Sequence, residues 1–201
     1  MTEARLHLAS ASPRRREILA AIGVAHSYAG VGMDETAAAG EPAFDLALRL
    51  ALAKARAALA AGRAEPVILG ADTVVSLDAE LFGKPASEEE AVYMLSRLSG
   101  RVHTVHTAIA VLSGSRELSS VSGSEVHFRE IGPDEARAYW RTGEPEGKAG
   151  AYAIQGRGGI FVAALAGSYS GVVGLPVYET ALLLRQAGID VLPRERPSPH
   201  D

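Results

Sequence analysis

One eleven-residue stretch, VILGADTVVSL at 67–77, constrains the fold more than any other part of the chain. Its β-branched and apolar residues predict a strand in the core that continues past a kink at Gly70. Asp72 lies in the middle of this stretch, where a carboxylate is unfavourable unless it is paired, holds a metal or transfers protons. The stretch therefore predicts either a functional aspartate or a structural one whose oxygens accept backbone N–H groups.

Strands and helices alternate in the first half of the chain, and paired strands dominate its middle. The cues for helix ends include Ser87 as an N-cap with Glu90 completing a capping box, and glycines after the last turn at Gly62 and Gly100. We predict helices over 13–22, 43–61, 88–99, 132–143 and 176–186. We predict strands over 5–10, 67–77, 103–113 with a turn near Gly114, 120–131 as its antiparallel neighbour, and two more around a turn within 158–176.

This order of elements predicts a mixed α/β sheet with helices on its faces. No repeat and no convincing linker interrupts the chain before residue 190, so we expect one domain over 1–190. The remaining tail, 191–201, is rich in proline and charge, and we expect it to be disordered.

Composition excludes several classes of function. The chain has no cysteine, which excludes disulfides, thiolate nucleophiles and cysteine-based zinc sites. Its formal net charge is −4 and no long basic stretch is present, so we expect neither a nucleic-acid partner nor a membrane surface. We identify no signal peptide and no apolar stretch of about 20 residues that would span a bilayer, which favours a cytoplasmic protein.

The stretch LASASPRRREIL at 8–19 concentrates positive charge at the predicted start of the first helix. A helix N-terminus offers free N–H groups and the positive end of the helix dipole, and Ser10, Arg14 and Arg15 add donors that suit phosphate oxygens. The alternative is a well-capped helix with surface arginines. We expect Arg16 to be a surface residue in either case, because three adjacent helical residues cannot face one site.

Two lysines and two acidic residues are further candidates. Lys54 follows Leu46 and Leu50 at four-residue spacing, so it falls beside the apolar face of its helix and must either reach out to solvent or meet an anion. Lys84 lies in a turn-like FGKP segment, where by itself it indicates only a solvated lysine. Glu35, in the predicted loop GMDET, could approach a metal, with Asp34 as the competing residue.

The stretch AYAIQGRGGIFV at 151–162 combines Gln155 with three glycines. A glutamine amide can pair with the edge of a base, and glycines allow the backbone to approach a ligand closely. The alternative is a β-bulge with a structural glutamine. His103 and His106 would lie on opposite faces of one strand, so they do not suggest a metal pair, and His103 is expected to fix a loop.

Taken in order, these stretches resemble the Maf family of nucleoside triphosphate pyrophosphatases. The resemblance covers roughly residues 6–180 and is carried by LASASPRRREIL, LALAKAR, GADTVV, FGKP, AVYMLSRLSGRVHTVHTAIAV, KAGAYAIQGRGGIFV and GSYSGVVGLPVYET. It implies a mixed, largely antiparallel twisted sheet flanked by helices, with two lobes around a deep cleft and an architecture like that of inosine triphosphate pyrophosphatases. It also implies hydrolysis between the α- and β-phosphates with a divalent metal, Mg²⁺ or Mn²⁺, and a homodimer.

The resemblance also implies roles for individual residues. Asp72 would be the proton acceptor, and Glu35 and Asp72 the acidic residues at the metal. The positions implied to contact the phosphates are Ser10, Arg14, Arg15, Lys54 and Lys84, and those linked to substrate choice are Arg14, Thr73 and Gln155. The YAIQG form resembles the subfamily that acts on dTTP and UTP.

Two other functions remain compatible with these residues. One is a pyrophosphatase of the same chemistry that prefers 7-methyl-GTP or inosine triphosphate, because a glutamine alone does not set the choice of base. The other is a nucleotide-binding regulator of cell division, although such a protein would not need Asp72.

Overall fold

The computed structural model describes residues 5–63 and 65–192. The strands are β1 (Leu6–Leu8), β2 (His26–Tyr28), β3 (Val67–Leu77), β4 (Glu80–Phe82), β5 (Val102–Ser113), β6 (Arg116–Phe128) and β7 (Val162–Ala166). The helices are α1 (Pro13–Ala21), α2 (Ala43–Ala60), α3 (Glu88–Leu98), α4 (Pro133–Trp140), α5 (Tyr169–Val173) and α6 (Val177–Gln186). Two 3-10 helices, Ala149–Ala151 and Arg157–Phe161, precede β7.

All seven strands form one sheet in the order β2-β1-β3-β5-β6-β7, with β4 paired to β3. The pairs β1–β2 and β1–β3 are parallel, and the other pairs are antiparallel. This confirms the predicted mixed, largely antiparallel sheet flanked by helices. The β5–β6 hairpin also turns at Gly114 as predicted, since that residue has a φ of 59°.

Three apolar clusters hold the helices on the sheet. One contains β1 with Leu19 of α1 and Leu184 of α6, and a second lies under α3 and α4 at the other end of the long strands. The third packs α2 on the opposite face of β3 and β5. On β3, Ala71 belongs to the first cluster and Val75 to the second, so the middle of this strand lies between the two.

The end signals of the long helices are largely confirmed. Ser87 accepts from the Glu90 backbone N–H at 3.3 Å, and Gly62 and Gly100 follow α2 and α3 with φ values of 71° and 65°. The second half of the predicted capping box differs, because the Glu90 carboxylate accepts from the N–H of Ala86 at 2.8 Å. The short partner strands β2 and β4 are absent from the predicted elements, because they carry too little periodic pattern to be recognised.

One predicted strand is wrong. Within 158–176 only β7 is a strand, and the residues after Gly167 form the short helix α5. Ser168 caps this helix by accepting from the Gly171 N–H at 3.0 Å. The predicted strand at 5–10 is also shorter than expected, and β6 begins four residues before the predicted position.

Among the described residues, no helix is long and apolar enough to cross a membrane. From residue 193 onward, the tail that we expect to be disordered lies outside the described residues.

Candidate active site

The site forms where two neighbouring strands separate. β1 pairs with β3 only along Leu6–Leu8 and Val67–Leu69, after which β1 leads into the turn at Ser10 and then into α1. On that side, β3 next pairs with β4 from Val75. Within the described chain, 70–74 of β3 therefore has no strand partner on this side, and the gap opens into a cleft.

Every residue predicted for the site lines this one cleft, which has a volume of about 840 Å³. They are Ser10, Arg14, Arg15, Glu35, Lys54, Asp72, Thr73, Lys84 and Gln155. The fold thus brings together residues from α1, α2, β3 and four loops, although they are spread over most of the sequence.

The acidic and basic groups on the α2 side form a chain of alternating charge. Lys54 Nζ lies 2.6 Å from Asp72 Oδ1 and 2.6 Å from Glu35 Oε1. Lys84 Nζ lies 3.4 Å from the second oxygen of Glu35. Of the two alternatives for Lys54, the structure therefore shows the one in which its ammonium meets anions.

This arrangement keeps Glu35 ionised. Partial burial by itself would raise the pKa of Glu35, but the hydrogen bond and charge of Lys54, with help from Lys84, outweigh it and hold that pKa below its ordinary value. Asp34, the competing acidic residue, instead accepts from the Thr36 N–H at 2.9 Å within its own loop. Glu35 is thus the loop carboxylate that faces the cleft.

The three consecutive arginines of α1 have three different surroundings. Arg15 is buried and donates through its three nitrogens to Gly174 O at 2.8 Å, Ser10 Oγ at 3.1 Å and Thr73 Oγ1 at 3.2 Å. Arg14 is half-buried and uses only Nε, which donates to Val173 O at 3.2 Å. Arg16 lies outside the cleft as expected, although it is half-buried rather than freely exposed, because its guanidinium stacks 4.2 Å above the ring of Tyr28.

Asp72 and Thr73 point to opposite faces of β3, as adjacent strand residues must. The hydroxyl of Thr107 on β5 lies 3.1 Å from that of Thr73 and donates to Gly171 O at 2.7 Å. Thr73 is thus held between Arg15 and Thr107, on the side of the sheet opposite Lys54. Asp72 and Thr73 both reach the cleft because the edge of β3 is open there.

Lys148 is a cleft residue that the sequence analysis missed. It lines the cavity, and its Nζ donates to Glu146 O at 2.9 Å. Burial and the nearby charge of Arg14 lower the pKa of Lys148. A signal was available, since Lys148 opens the stretch KAGAYAIQGRGGIFV, directly before a run of small and apolar residues.

Gln155 lies at the mouth of the cleft in an exposed turn. This segment is a turn followed by the 3-10 helix Arg157–Phe161, so the alternative of a β-bulge is wrong. His103 lies within β5 and contacts the Tyr152 hydroxyl at 2.9 Å, which ties the strand to the segment leading to Gln155. His106 packs against Phe44 of α2, on the other face of the strand as expected.

Comparison with known proteins shows the family of this chain. The family model described as Maf-like protein matches residues 5–187. The chain belongs to the Maf family. A relative from Methylococcus capsulatus named dTTP/UTP pyrophosphatase is 48% identical over 92% of this chain and 92% of its own.

A second relative, from Haemophilus ducreyi, is named nucleoside triphosphate pyrophosphatase and is 47% identical over 94% of this chain and 98% of its own length. The solved structure of the Staphylococcus aureus Ham1 protein aligns with 64% of this chain and 72% of that chain. That alignment has 17% identity and a TM-score of 0.43, a likeness too weak to support a conclusion.

Proposed function

We propose that this Maf protein is a hydrolase that cleaves dTTP and UTP between the α- and β-phosphates. The products are the nucleoside monophosphate and pyrophosphate. The observation that carries the proposal is the convergence of Lys54, Lys84 and Arg14 with Asp72 and Glu35 in one cleft. The names of the relatives at 45–48% identity supply the substrate class.

The cations of the cleft suit a triphosphate. Arg14 uses one nitrogen within the protein and has further guanidinium N–H groups for phosphate oxygens, and Lys84 is largely exposed at the cleft. Lys148 adds a positive charge next to Arg14. These groups would stabilise the negative charge that develops on the departing pyrophosphate.

Arg15 has a different role in this proposal. Its three hydrogen bonds fix Ser10 and Thr73 relative to each other at the point where β1 and β3 separate. Arg15 therefore holds the protein groups around the proposed phosphate site in place. Its positive charge attracts the phosphates through the electrostatic field that it creates there.

The carboxylates fit a divalent metal, Mg²⁺ or Mn²⁺. Glu35 and Asp72 converge on one cation in the structure, the ammonium of Lys54, and carboxylate oxygens are the ligands that Mg²⁺ prefers. No group of three or more acidic or histidine ligands occurs among the described residues, and Mg²⁺ is commonly held by one or two carboxylates together with substrate phosphates. Glu35 and Asp72 would hold the metal, whose charge would polarise the phosphate oxygens.

Asp72 is the proposed proton acceptor. Lys54 holds its Oδ1, which leaves Oδ2 to take a proton from water. The water oxygen attacks the α-phosphorus and forms a new P–O bond. The bond from that phosphorus to the oxygen bridging to the β-phosphate breaks, and pyrophosphate leaves with the electron pair.

Gln155 is proposed to contact the base. Its amide N–H can donate to O4 of thymine or uracil while its carbonyl accepts from N3–H. A rotated amide would match cytosine equally well, so the preference for dTTP and UTP rests on the names of the relatives. Thr73 is included in the proposed substrate site because it lines the same cleft.

A substrate panel tests the proposal. We would measure kcat/KM for dTTP, UTP, CTP, 7-methyl-GTP and ITP with Mg²⁺ and with Mn²⁺, and identify both products. The expected result is monophosphate with an equal amount of pyrophosphate, and highest kcat/KM for dTTP and UTP. Release of orthophosphate and a nucleoside diphosphate would refute cleavage between the α- and β-phosphates. A higher kcat/KM for 7-methyl-GTP or ITP would refute the proposed preference for dTTP and UTP. Tight binding of all nucleotides without turnover would favour a regulator.

The proposal also includes a cytoplasmic homodimer with no nucleic-acid or membrane partner. The dimer rests on family membership, and the absence of the other partners is supported by the formal net charge of −4. Light scattering on the purified protein measures the oligomeric state, and a mass of one chain at micromolar concentration would refute the dimer.

A further inference from the structure

The turn that carries Gln155 is held by residues outside the cleft lining. The two glycines that follow closely, Gly156 and Gly158, were expected to allow a ligand to approach. Their close neighbours are instead protein atoms: a Cβ on Gly156 would lie 2.4 Å from Glu144 Oε2, and one on Gly158 would lie 2.5 Å from the Tyr139 hydroxyl. Glycine is thus required so that two other side chains can reach the turn.

Glu144 binds the start of the 3-10 helix Arg157–Phe161. Its Oε2 accepts from the Arg157 N–H at 3.0 Å, and its Oε1 accepts from the Gly158 N–H at 2.9 Å. These are the first N–H groups of that helix, which have no carbonyl partner within it. The residue before the helix, Gly156, has no side chain to cap it, so Glu144 supplies the cap from a different part of the chain.

Tyr139 of α4 completes the clamp from the other side. Its hydroxyl donates to Glu144 Oε1 at 2.7 Å and accepts from the Ala153 N–H at 3.1 Å. Its ring packs edge-on against Phe161 with centroids 5.0 Å apart. The turn from Ala153 to Gly158, with Gln155 in its middle, is thus fixed at both ends by one connected carboxylate–phenol pair.

Near neutral pH the carboxyl group of Glu144 is ionised and the hydroxyl of Tyr139 keeps its proton. Burial by itself would raise the pKa of Glu144, but the Gly158 N–H, the Tyr139 hydroxyl and the Arg157 N–H outweigh it and hold the pKa below its ordinary value. Burial and the adjacent Glu144 raise the pKa of Tyr139. Tyr139 therefore donates and Glu144 accepts.

We propose that Glu144, supported by Tyr139, is a positioning residue that sets base selectivity by fixing where Gln155 presents its amide. This inference rests on the proposed function of the same cleft. Neither side chain lines the cavity, so both act through the turn and not on the nucleotide. A displacement of the amide by about 1 Å would weaken its pairing with the base and leave the phosphate site unchanged.

A double-mutant cycle tests the coupling. We would measure kcat/KM for dTTP and for GTP in the wild type, Glu144→Gln, Gln155→Ala and the double variant. The expected result is a fall of about 10-fold in the ratio of dTTP to GTP for each single variant, through KM with kcat little changed, and no further fall in the double variant. An unchanged ratio in Glu144→Gln, or falls that multiply in the double variant, would overturn the proposal.

Tyr139→Phe provides a second variant if Glu144→Gln does not fold. It keeps the ring against Phe161 and removes only the hydroxyl from Glu144 and Ala153, so a smaller fall in the same ratio is expected. Glu117→Gln is the matched control, because it removes a carboxylate that accepts two hydrogen bonds from Arg56 outside the cleft. Its ratio should equal that of the wild type.

The proposed activity and the positioning role of Glu144 can be refuted separately. If the wild type does not release pyrophosphate from dTTP, the proposed function fails. If it does so selectively and the Glu144 and Tyr139 variants keep that selectivity, only the positioning role fails. A role limited to stability would lower Tm and reduce kcat/KM for dTTP and GTP by equal factors, which would also overturn it.

Discussion

Lys54 and Asp72 form an ion pair in which each side chain is only 9% exposed and the two charged atoms lie 2.6 Å apart. A buried carboxylate that loses its cation is strongly destabilising. We therefore predict that Lys54→Met lowers the free energy of unfolding by about 3 kcal/mol at neutral pH, measured by urea denaturation. Adding Asp72→Asn to that variant should restore part of the loss. A double variant that is less stable than Lys54→Met would contradict the pairing.

Asp72→Asn by itself tests the proton acceptor. An amide cannot accept the proton of the attacking water, so kcat for dTTP should fall by at least about 10²-fold while nucleotide binding is largely kept. Asp78→Asn is the control, since Asp78 lies in the exposed β3–β4 turn and pairs with Arg101. Turnover close to that of the wild type in Asp72→Asn would exclude Asp72 as the base.

Gly70 allows a prediction about packing at the site. A Cβ there would lie 2.2 Å from Ala51 O and 2.7 Å from Ala55 N, both backbone atoms of α2. Gly70→Ala must push α2, and with it Lys54, away from β3, so we expect a loss of about 3 kcal/mol in stability and reduced kcat. Gly123→Ala is the matched control in β6, because its nearest neighbour would be His106 at 3.6 Å. If Gly70→Ala and Gly123→Ala are equally stable, the position of α2 does not depend on its close contact with Gly70.

The neighbouring arginines should respond differently to lysine. Arg15→Lys keeps the charge but cannot donate to Gly174, Ser10 and Thr73 together, and we predict a loss of about 3 kcal/mol in the free energy of unfolding. Arg14→Lys loses one hydrogen bond, to Val173 O, and should cost about 1 kcal/mol. Thermal or urea unfolding of both variants measures the difference. The reverse order would contradict the structural role of Arg15.

His103 predicts how stability depends on pH. Burial, with a smaller contribution from His127, lowers the pKa of His103 to about 4. Since an unfolded histidine has a pKa of about 6.5, the unfolded state binds more protons between these values. The stability that the neutral ring contributes is therefore complete above about pH 6.5 and is lost as the pH falls towards about 4, by up to about 3 kcal/mol.

Replacing the ring removes this dependence. His103→Gln should be less stable at about pH 7.5, because it loses contacts with Phe128 and Tyr152, yet its Tm should fall less between about pH 7 and pH 5 than that of the wild type. Tm measured across this range compares the two slopes. Parallel slopes would mean that His103 does not contribute to acid destabilisation.

The residues of the cleft could be predicted from the sequence better than the elements around it. Lys54 stood out because it continues the spacing of Leu46 and Leu50, and Asp72 because it interrupts an apolar strand. Such anomalies are local, so one sequence displays them. The partner of each residue is not local: that Lys54 bridges Asp72 and Glu35 depends on how α2, β3 and a loop pack.

The features that escaped prediction have physical reasons as well. β2 and β4 have three residues each, which is too short for an alternating pattern to show. The apolar residues of α5 resemble a strand until Ser168 is recognised as its N-cap. Glu144 looks like any loop glutamate, because the N–H groups that it binds belong to a later segment, at Arg157 and Gly158.

The gap between β1 and β4 along β3 has a consequence for solubility. An unpaired strand edge is normally a template on which a second chain can add a strand and begin to aggregate. Here the bare segment, 70–74, is short, borders the cleft and carries Asp72, whose ion pair with Lys54 of α2 a foreign strand would have to disturb in order to pair with this edge. The chain can therefore leave this edge bare for the proposed nucleotide substrate without offering it to another polypeptide.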